Sequence, residues 1–505
     1  MRQLRGYLII TLALTTSVLS LGVARSASAS VLSVACNASA LVAAIHSANT
    51  NGAANTLVLA TDCTYRLRAI DNDHRGPNGL PVITSAMTIV GNGTVIKRSR
   101  NPATPPFRLF FVDTTGELTL QDLTIRNGQA SAGSPGLRGP DPVLCQGTTG
   151  RKGGGIFNLG TLTLTNSALR GNRAGAGGNG AKVCDSPNCD ELAGCHGGIG
   201  GAGGGIFNRG VLTVTNSALT DNVSGRGGFG ARGENSSHGS PGADAGAGGA
   251  IFNAGTLRLT NTTLSNNRGG TGGNESQDGY DGGMGGHGGG IANGGTATVV
   301  NSTIHGNMGG FGGDADCGDG GAMGTGGSGG GVANWGSLTI RSSTITDNRV
   351  GPKLHGSGCD HNRAGVGGGI FNDGGAFTLV NSIVDGERID DGESTGEDCS
   401  GTLPSTRRYS LGSSSCGDDE GDPLLITGAA RLGPLGDYGG PTETRVPLLG
   451  SDAIDRGDPA GCLDAEGHRL KDQRGFPRRR QARCDIGAVE LQPGEMLPDA
   501  IRPRP

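Results

Sequence analysis

The sequence predicts a right-handed parallel β-helix, an all-β solenoid, and three observations predict it. Glycine makes up 100 of 505 residues while aromatics make up only 3%, a bias that directs attention to internal repeats. A unit of about twenty residues then recurs six times, from GGGIFNLGTLTLTNSALRGN, ending at Asn172, to GGGIFNDGGAFTLVNSIVDG, ending at Gly386. Within each unit apolar and polar residues alternate with the period of two expected of strands.

Alternation places Leu162, Leu212, Leu257, Ala297, Leu338 and Phe377 in one interior column, with Thr163, Thr213, Thr298, Thr339 and Thr378 outside. A single unit cannot bury its apolar side, but coils stacked ~4.8 Å apart align these columns into a continuous dry core. Asn158, Asn208, Asn253, Asn293, Asn334 and Asn372 mark one corner; Asn166, Asn216, Asn261, Asn301, Ser342 and Asn381 mark the next. Aligned asparagines can hydrogen-bond along a stack, so both columns are expected to be side-chain ladders. The corners lie eight residues apart in five copies and nine in the last, where the extra glycine at Gly374 or Gly375 predicts a bulge. Two less regular coils are expected around Met87 to Lys97 and Phe107 to Gly128, giving about eight or more in all.

Insertions rich in GGx triplets always follow the third strand, so they should leave the solenoid on one side. Two readings stay open for them. They are flexible linkers, or each runs out and back as an extended helix with three residues per turn, packed closely because glycine has no Cβ.

The first residues carry Arg2 and Arg5, an apolar stretch from Tyr7 to Val23 and the small-residue run Ala27-Ser28-Ala29, the pattern of a cleaved export signal. We expect export, with no membrane span in the mature chain. Twelve cysteines in an exported chain favour disulfides over metal binding. Adjacent loops carry Cys145 and then Cys184, Cys189 and Cys195, whose pairing stays open, and later Cys317 and Cys359, which suit a bridge across one coil. Cys36 with Cys63, Cys399 with Cys416, and Cys462 with Cys484 would close the two ends. A net charge of −4 gives nucleic acid no electrostatic support as a partner.

DCSGTL at Asp398, LGPLGDYGGPTETRVPLLGSDAIDRG from Leu432, DQRGFPR from Asp472 and CDIGAVE from Cys484 together resemble bacterial β-helix surface proteins that end in a choice-of-anchor Q domain. CNASALVAAIHSANTNGAANTLVLA is similar to the N-terminal cap of CSLREA-type relatives, though that literal string is absent, and GLPVITSAMTIVGNG from Gly79 is typical of the family's first coil. The resemblance covers most of the mature chain and implies a capped β-helix displayed outside the cell, generally without an assigned activity. It divides the chain into a signal at 1–29, a cap at 30–83, the helix with its insertions at 84–390, the anchor-Q-like region at 391–491 and an extended tail at 492–505. The tail, LQPGEMLPDAIRPRP with the residues just before it, has no sorting motif or apolar segment, a departure that puts surface attachment in doubt.

Parallel β-helices of the pectin-lyase-like fold also host polysaccharide lyases, hydrolases and epimerases, so an enzyme is the competing expectation. Asp221 and Asp347 stand three coils apart, roughly 14 Å at ~4.8 Å per coil, too far to share calcium or flank one bond, and read as turn residues. Asp278, Asp281, Asp314, Asp316 and Asp319 are candidate calcium ligands, read first as solvated loop charge. Asp472, Arg474, Asp485 and Glu490 read as ion pairs inside a folded cap. No catalytic residue and no cofactor other than calcium is called. The expectation is a secreted or surface-associated, non-enzymatic protein presenting a surface to carbohydrate or a cell-surface protein; the alternative is a carbohydrate-active enzyme on an acidic polysaccharide.

Overall fold

A computed structural model describes residues 29–137, 144–181, 195–231, 240–275, 281–315, 322–352, 363–386, 397–416, 425–426, 428–459, 470–478, 483–492 and 495. Three strands per coil, all paired in parallel with the coils before and after, build a right-handed β-helix. In the first repeat they are Ile156–Asn158, Thr161–Thr165 and Ala168–Arg170, here called the asparagine, long and short strands. The asparagine strands form a separate eight-stranded sheet running from Phe110–Val112 to Cys399–Gly401. The two early coils carry long and short strands fused as Ala86–Arg98 and Glu117–Arg126.

Register is exact along the expected interior column: Leu162 pairs with Leu212, Leu212 with Leu257, Leu257 with Ala297, Ala297 with Leu338 and Leu338 with Phe377. Each is at most 2% exposed. The extra residue of the last repeat is absorbed at the corner by Gly374 at φ 74°, so the strand Ala376–Val380 keeps register. Helix α1, Ala38–Thr50, closes the first coils by burying Leu41, Ile45 and Ala48, and its N-terminus is capped by Asn37, whose Oδ1 accepts from the Ala40 amide at 2.8 Å.

The two asparagine columns behave differently. Nδ2 of Asn158, Asn208, Asn253, Asn293 and Asn334 each donates to Oδ1 of the next asparagine at 2.6–2.7 Å, a continuous buried ladder ending at Asn372. In the second column Asn166, Asn216, Asn261, Asn301, Ser342 and Asn381 all have φ between 45° and 53°. They were expected to form a ladder, but only Asn261 to Asn216 and Asn381 to Ser342 bond along it. The sharp corner demands left-handed backbone, which asparagine adopts cheaply, and that demand governs the residue choice. The second true ladder is one not expected: Asn172, Asn222, Asn267, Asn307 and Asn348, after the short strand, bonded Nδ2 to Oδ1 at 2.8–2.9 Å.

The described parts of the glycine-rich insertions are outgoing and returning arms packed on one another. Along 174–181 the amide partners change with a period of three. Ala174, Gly177 and Gly180 donate to Val223, Arg226 and Phe229 of the next outgoing arm, while Gly175, Gly178 and Ala181 donate to Arg151, Thr148 and Cys145 of the preceding returning arm. An extended helix with three residues per turn has no internal hydrogen bonds, so its amides must find neighbours, and here every neighbour is another arm. Such packing leaves no room for large side chains on the inner faces. Inner positions carry glycine or small side chains such as Ala174, Ser224 and the buried Cys145–Cys195 bridge, and the larger side chains stand at outward positions, as at Asn179, Arg226, Phe229, Asn274 and Phe311.

Disulfides join Cys36 to Cys63, Cys145 to Cys195 and Cys399 to Cys416. The second links the returning arms of two successive loops, settling which residue Cys145 pairs with. Cys184, Cys189, Cys317, Cys359 and Cys462 lie outside the described residues, and Cys484 is also disulfide-bonded.

The described segments 430–459, 470–478 and 483–491 run back along the outer face of the short strands. Gln473 reaches Thr263, Thr303, Thr442 and Thr444, and the Ala488 amide donates to Thr344 Oγ1 at 3.0 Å. Thr263, Thr303 and Thr344 are consequently at most 1% exposed. Beneath this strap Arg474 Nε donates to Asp472 at 3.1 Å, and Arg478 stands 3.6 Å from Glu490. Asp485 accepts amides from Asp455 and Leu491. The Asp472, Arg474, Asp485 and Glu490 group therefore pins the strap together.

Candidate functional site

A cavity of about 450 Å³ opens where three successive short strands turn outward into their arms. Its rim is set by the backbone. Asn266, Gly306 and Asp347 occupy one left-handed corner column at φ 55°, 64° and 55°, and the next residues belong to the second asparagine ladder. One step further Arg268, Met308 and Arg349 start the arms and line the mouth. His305, at the end of the short strand Thr303–His305, points into the same space.

Asp347 is committed. Its carboxylate receives Arg445 of the strap, and that guanidinium also donates Nε to the Gly433 carbonyl at 2.7 Å and Nη1 to Thr346 Oγ1 at 3.2 Å. His305 Nδ1 lies 3.5 Å from the Asp347 carboxylate and 3.4 Å from Thr346 Oγ1. Burial, then the Arg445 charge, pushes the His305 imidazole below its ordinary value, against the opposing pull of Asp347. A neutral imidazole, the Arg268 guanidinium and the Asn266 side-chain amide in a half-enclosed polar cleft can hold a hydroxylated or anionic small group. The one carboxylate among the lining residues is spent on an ion pair.

Asp221, at φ 57°, occupies the same corner column as Asp347 three coils away, as the turn reading expects. What the sequence did not show is that Asp347 bonds an arginine 98 residues downstream. Of the loop aspartates, Asp281 accepts the Ala322 amide at 2.8 Å, while Asp278, Asp316 and Asp319 lie outside the described residues. Asp314 is exposed in an arm. Among the described residues no group of three or more His, Cys, Asp or Glu side chains is placed to hold a metal ion, and no helix is long and apolar enough to cross a membrane.

On the opposite sheet the second residue of each asparagine strand points outward, and Phe111, Phe157, Phe207 and Phe252 stack with centroids 4.8–5.2 Å apart. Arg108 lies over Phe111 and Phe157, and Lys152 over Phe207. Burial, with Arg151 nearby, lowers Arg108 to about 10. The row was legible as the recurring IFN triplet but was not read as a stack.

No protein-family model and no curated protein matches this chain. Among solved structures it is similar to the A-module of the Azotobacter vinelandii mannuronan C-5 epimerase AlgE6, at 14% identity and a TM-score of 0.26, covering 74% of this chain and 94% of that one. It is also similar to a PL6 family alginate lyase, AlyGC, at 11% identity and a TM-score of 0.18, covering 94% of this chain and 59% of that one. Identities at this level concern architecture alone, and no residue role is carried across from either protein.

Proposed function

We propose that the protein is a secreted or surface-associated scaffold, without catalysis of its own, that presents a binding surface to carbohydrate. One observation carries this reading: the polar cleft at His305 opens beside a stiff array whose glycines are consumed in packing, so that every remaining outward side chain is held at a fixed spacing. A preorganised polar surface binds without first having to order itself. Disulfides between arms and at both ends suit an oxidising compartment. The strap formed by the anchor-Q-like motifs covers the later coils of one sheet face, which fits the resemblance to displayed β-helix proteins.

The test is a glycan array probed with the full mature chain, followed by incubation of every bound glycan with and without calcium. Retention of glycans with unchanged chain length, no unsaturated product and unchanged sugar stereochemistry is the expected result. Shortened, unsaturated or epimerised product would overturn it in favour of a carbohydrate-active enzyme, and an array without any bound glycan would remove carbohydrate as the partner.

A further inference from the structure

The outer face of the short-strand sheet is divided in two. From the coil of Thr263 onward the strap covers it, but among the described residues nothing of the strap lies over the first four coils, from Thr64–Leu67 to Ala168–Arg170. On that open half the parallel register places Arg66 beside Lys97, Lys97 beside Arg126, and Arg126 beside Arg170. Four cations thus stand in one column on successive strands ~4.8 Å apart, over a length of ~14 Å. Arg100 adds its charge beside Lys97 and is held by a bond to Asn127.

Like charges directly opposite one another across strands are destabilising, and a fold normally sets a carboxylate among them. Here, among the described residues, no carboxylate pairs with any of these five side chains. Burial, then the charges of Arg66, Arg126 and Arg100, push the Lys97 amine below its ordinary value. Arg126 Nε is buried without a partner. Beyond Arg170 the same column continues as Thr220, Ser265 and His305, so the cations are confined to the uncovered coils.

We infer that this open strip is the seat of a linear polyanionic polysaccharide of the uronic-acid type, lying across the strands with its carboxylates on the cation column. The inference rests on the carbohydrate-binding reading and gives it a locus and a ligand class. Beside the cations, two residues earlier on each strand, runs a second outward column of Thr64, Val95, Thr124 and Ala168. These side chains are small and two carry hydroxyls, so a chain of sugar rings can lie flat on them, each ring advancing by about one strand spacing of ~4.8 Å. A nucleic acid would find no aromatic side chain in either column on which to stack a base.

Binding of the full mature chain to polygalacturonate, to a neutral glucan and to a single-stranded nucleic acid homopolymer at about 0.15 M salt tests this, with the Lys97→Gln/Arg126→Gln double variant alongside. Polygalacturonate should bind, weaken as salt rises, and lose at least tenfold in affinity in the variant. The variant's melting temperature should equal or exceed the parent's, because repulsion is relieved, and this separates a lost site from a lost fold. Equal polygalacturonate affinity in parent and variant would overturn the locus, and tighter binding of nucleic acid than of polygalacturonate would overturn the ligand class. Binding of the neutral glucan alone would sink this inference and leave the carbohydrate reading standing, while no glycan binding at all would remove both.

Discussion

Gly178 and Thr148 belong to opposite directions of two neighbouring arms, and the Gly178 amide donates to the Thr148 carbonyl at 2.9 Å. The Thr148 amide in turn donates to Ser134 in a third arm, at 2.9 Å, and a Cβ on Gly178 would overlap that Ser134 carbonyl oxygen. Gly178→Ala must therefore push three backbones apart, which overpacking data put at about 1–3 kcal/mol. Ala176→Ser, at an outward position two residues away, should stay within about 0.5 kcal/mol. Denaturant midpoints of the two variants check the contrast, and equal effects would mean that the arms are not closely packed.

The buried ladder gives a second contrast. Asn253 accepts from Asn208 and donates to Asn293, Gly255 and Thr296, so Asn253→Ala orphans groups that cost about 1–3 kcal/mol each when buried unpaired. Asn166→Ala removes no ladder bond and should cost only the left-handed backbone penalty of about 1–2 kcal/mol. Chemical denaturation should rank Asn253→Ala clearly below Asn166→Ala.

Cys145 and Cys195 are 50 residues apart, and a crosslink closing a loop of that size is worth about 4 kcal/mol in the chain-entropy account. The double change to serine should speed amide hydrogen exchange in the arms around Gly147 and Gly180 more than in the core strands. Uniform acceleration throughout the β-helix would show that arms and helix open as one unit.

His287 sends its ring into the gap left by Ala292 and Ala333 in the phenylalanine row, meeting Phe371 and Trp335, and its Nδ1 accepts the Ser328 amide at 2.9 Å. Burial lowers its pKa from the ordinary 6.5, outweighing Asp244 and Asp373. The unfolded chain therefore binds the proton first, and stability should fall as pH drops below about 6.5, continuing until the folded-state value is passed. His305 shifts the same way and adds to the slope. In melting temperatures measured from pH 7.5 to 5, His287→Gln should be less steep than the parent; an unchanged slope would assign the acid sensitivity elsewhere.

Much of the solenoid was legible because its signal is local. Leu162 and Leu164 flank Thr163 in one strand, and the same alternation recurs in every repeat, so column and register follow from sequence alone. The second corner was misread because asparagine serves two ends, bonding along a ladder and turning a left-handed corner, and Asn166 resembles Asn158 in every local respect. The site was not legible. Arg445 meets Asp347 across 98 residues and Gln473 meets Thr263 across 210, with no periodicity to announce either. The cation column was hidden differently, since Arg66, Lys97 and Arg126 sit in the irregular early coils, where spacing in the chain does not reveal register.

The triplet bonding of the arms also governs how this protein can vary over generations. Successive ladder asparagines are 50, 45, 40, 41 and 38 residues apart, yet they remain in contact, so all the difference in length is spent outside the coils. An amide in an arm meets its carbonyl only every third residue, and a single inserted residue within an arm would turn every glycine beyond it away from its slot. Within the described arms a change of length that keeps this bonding must therefore come as a whole turn, while sequence is freest on the outward third of each arm.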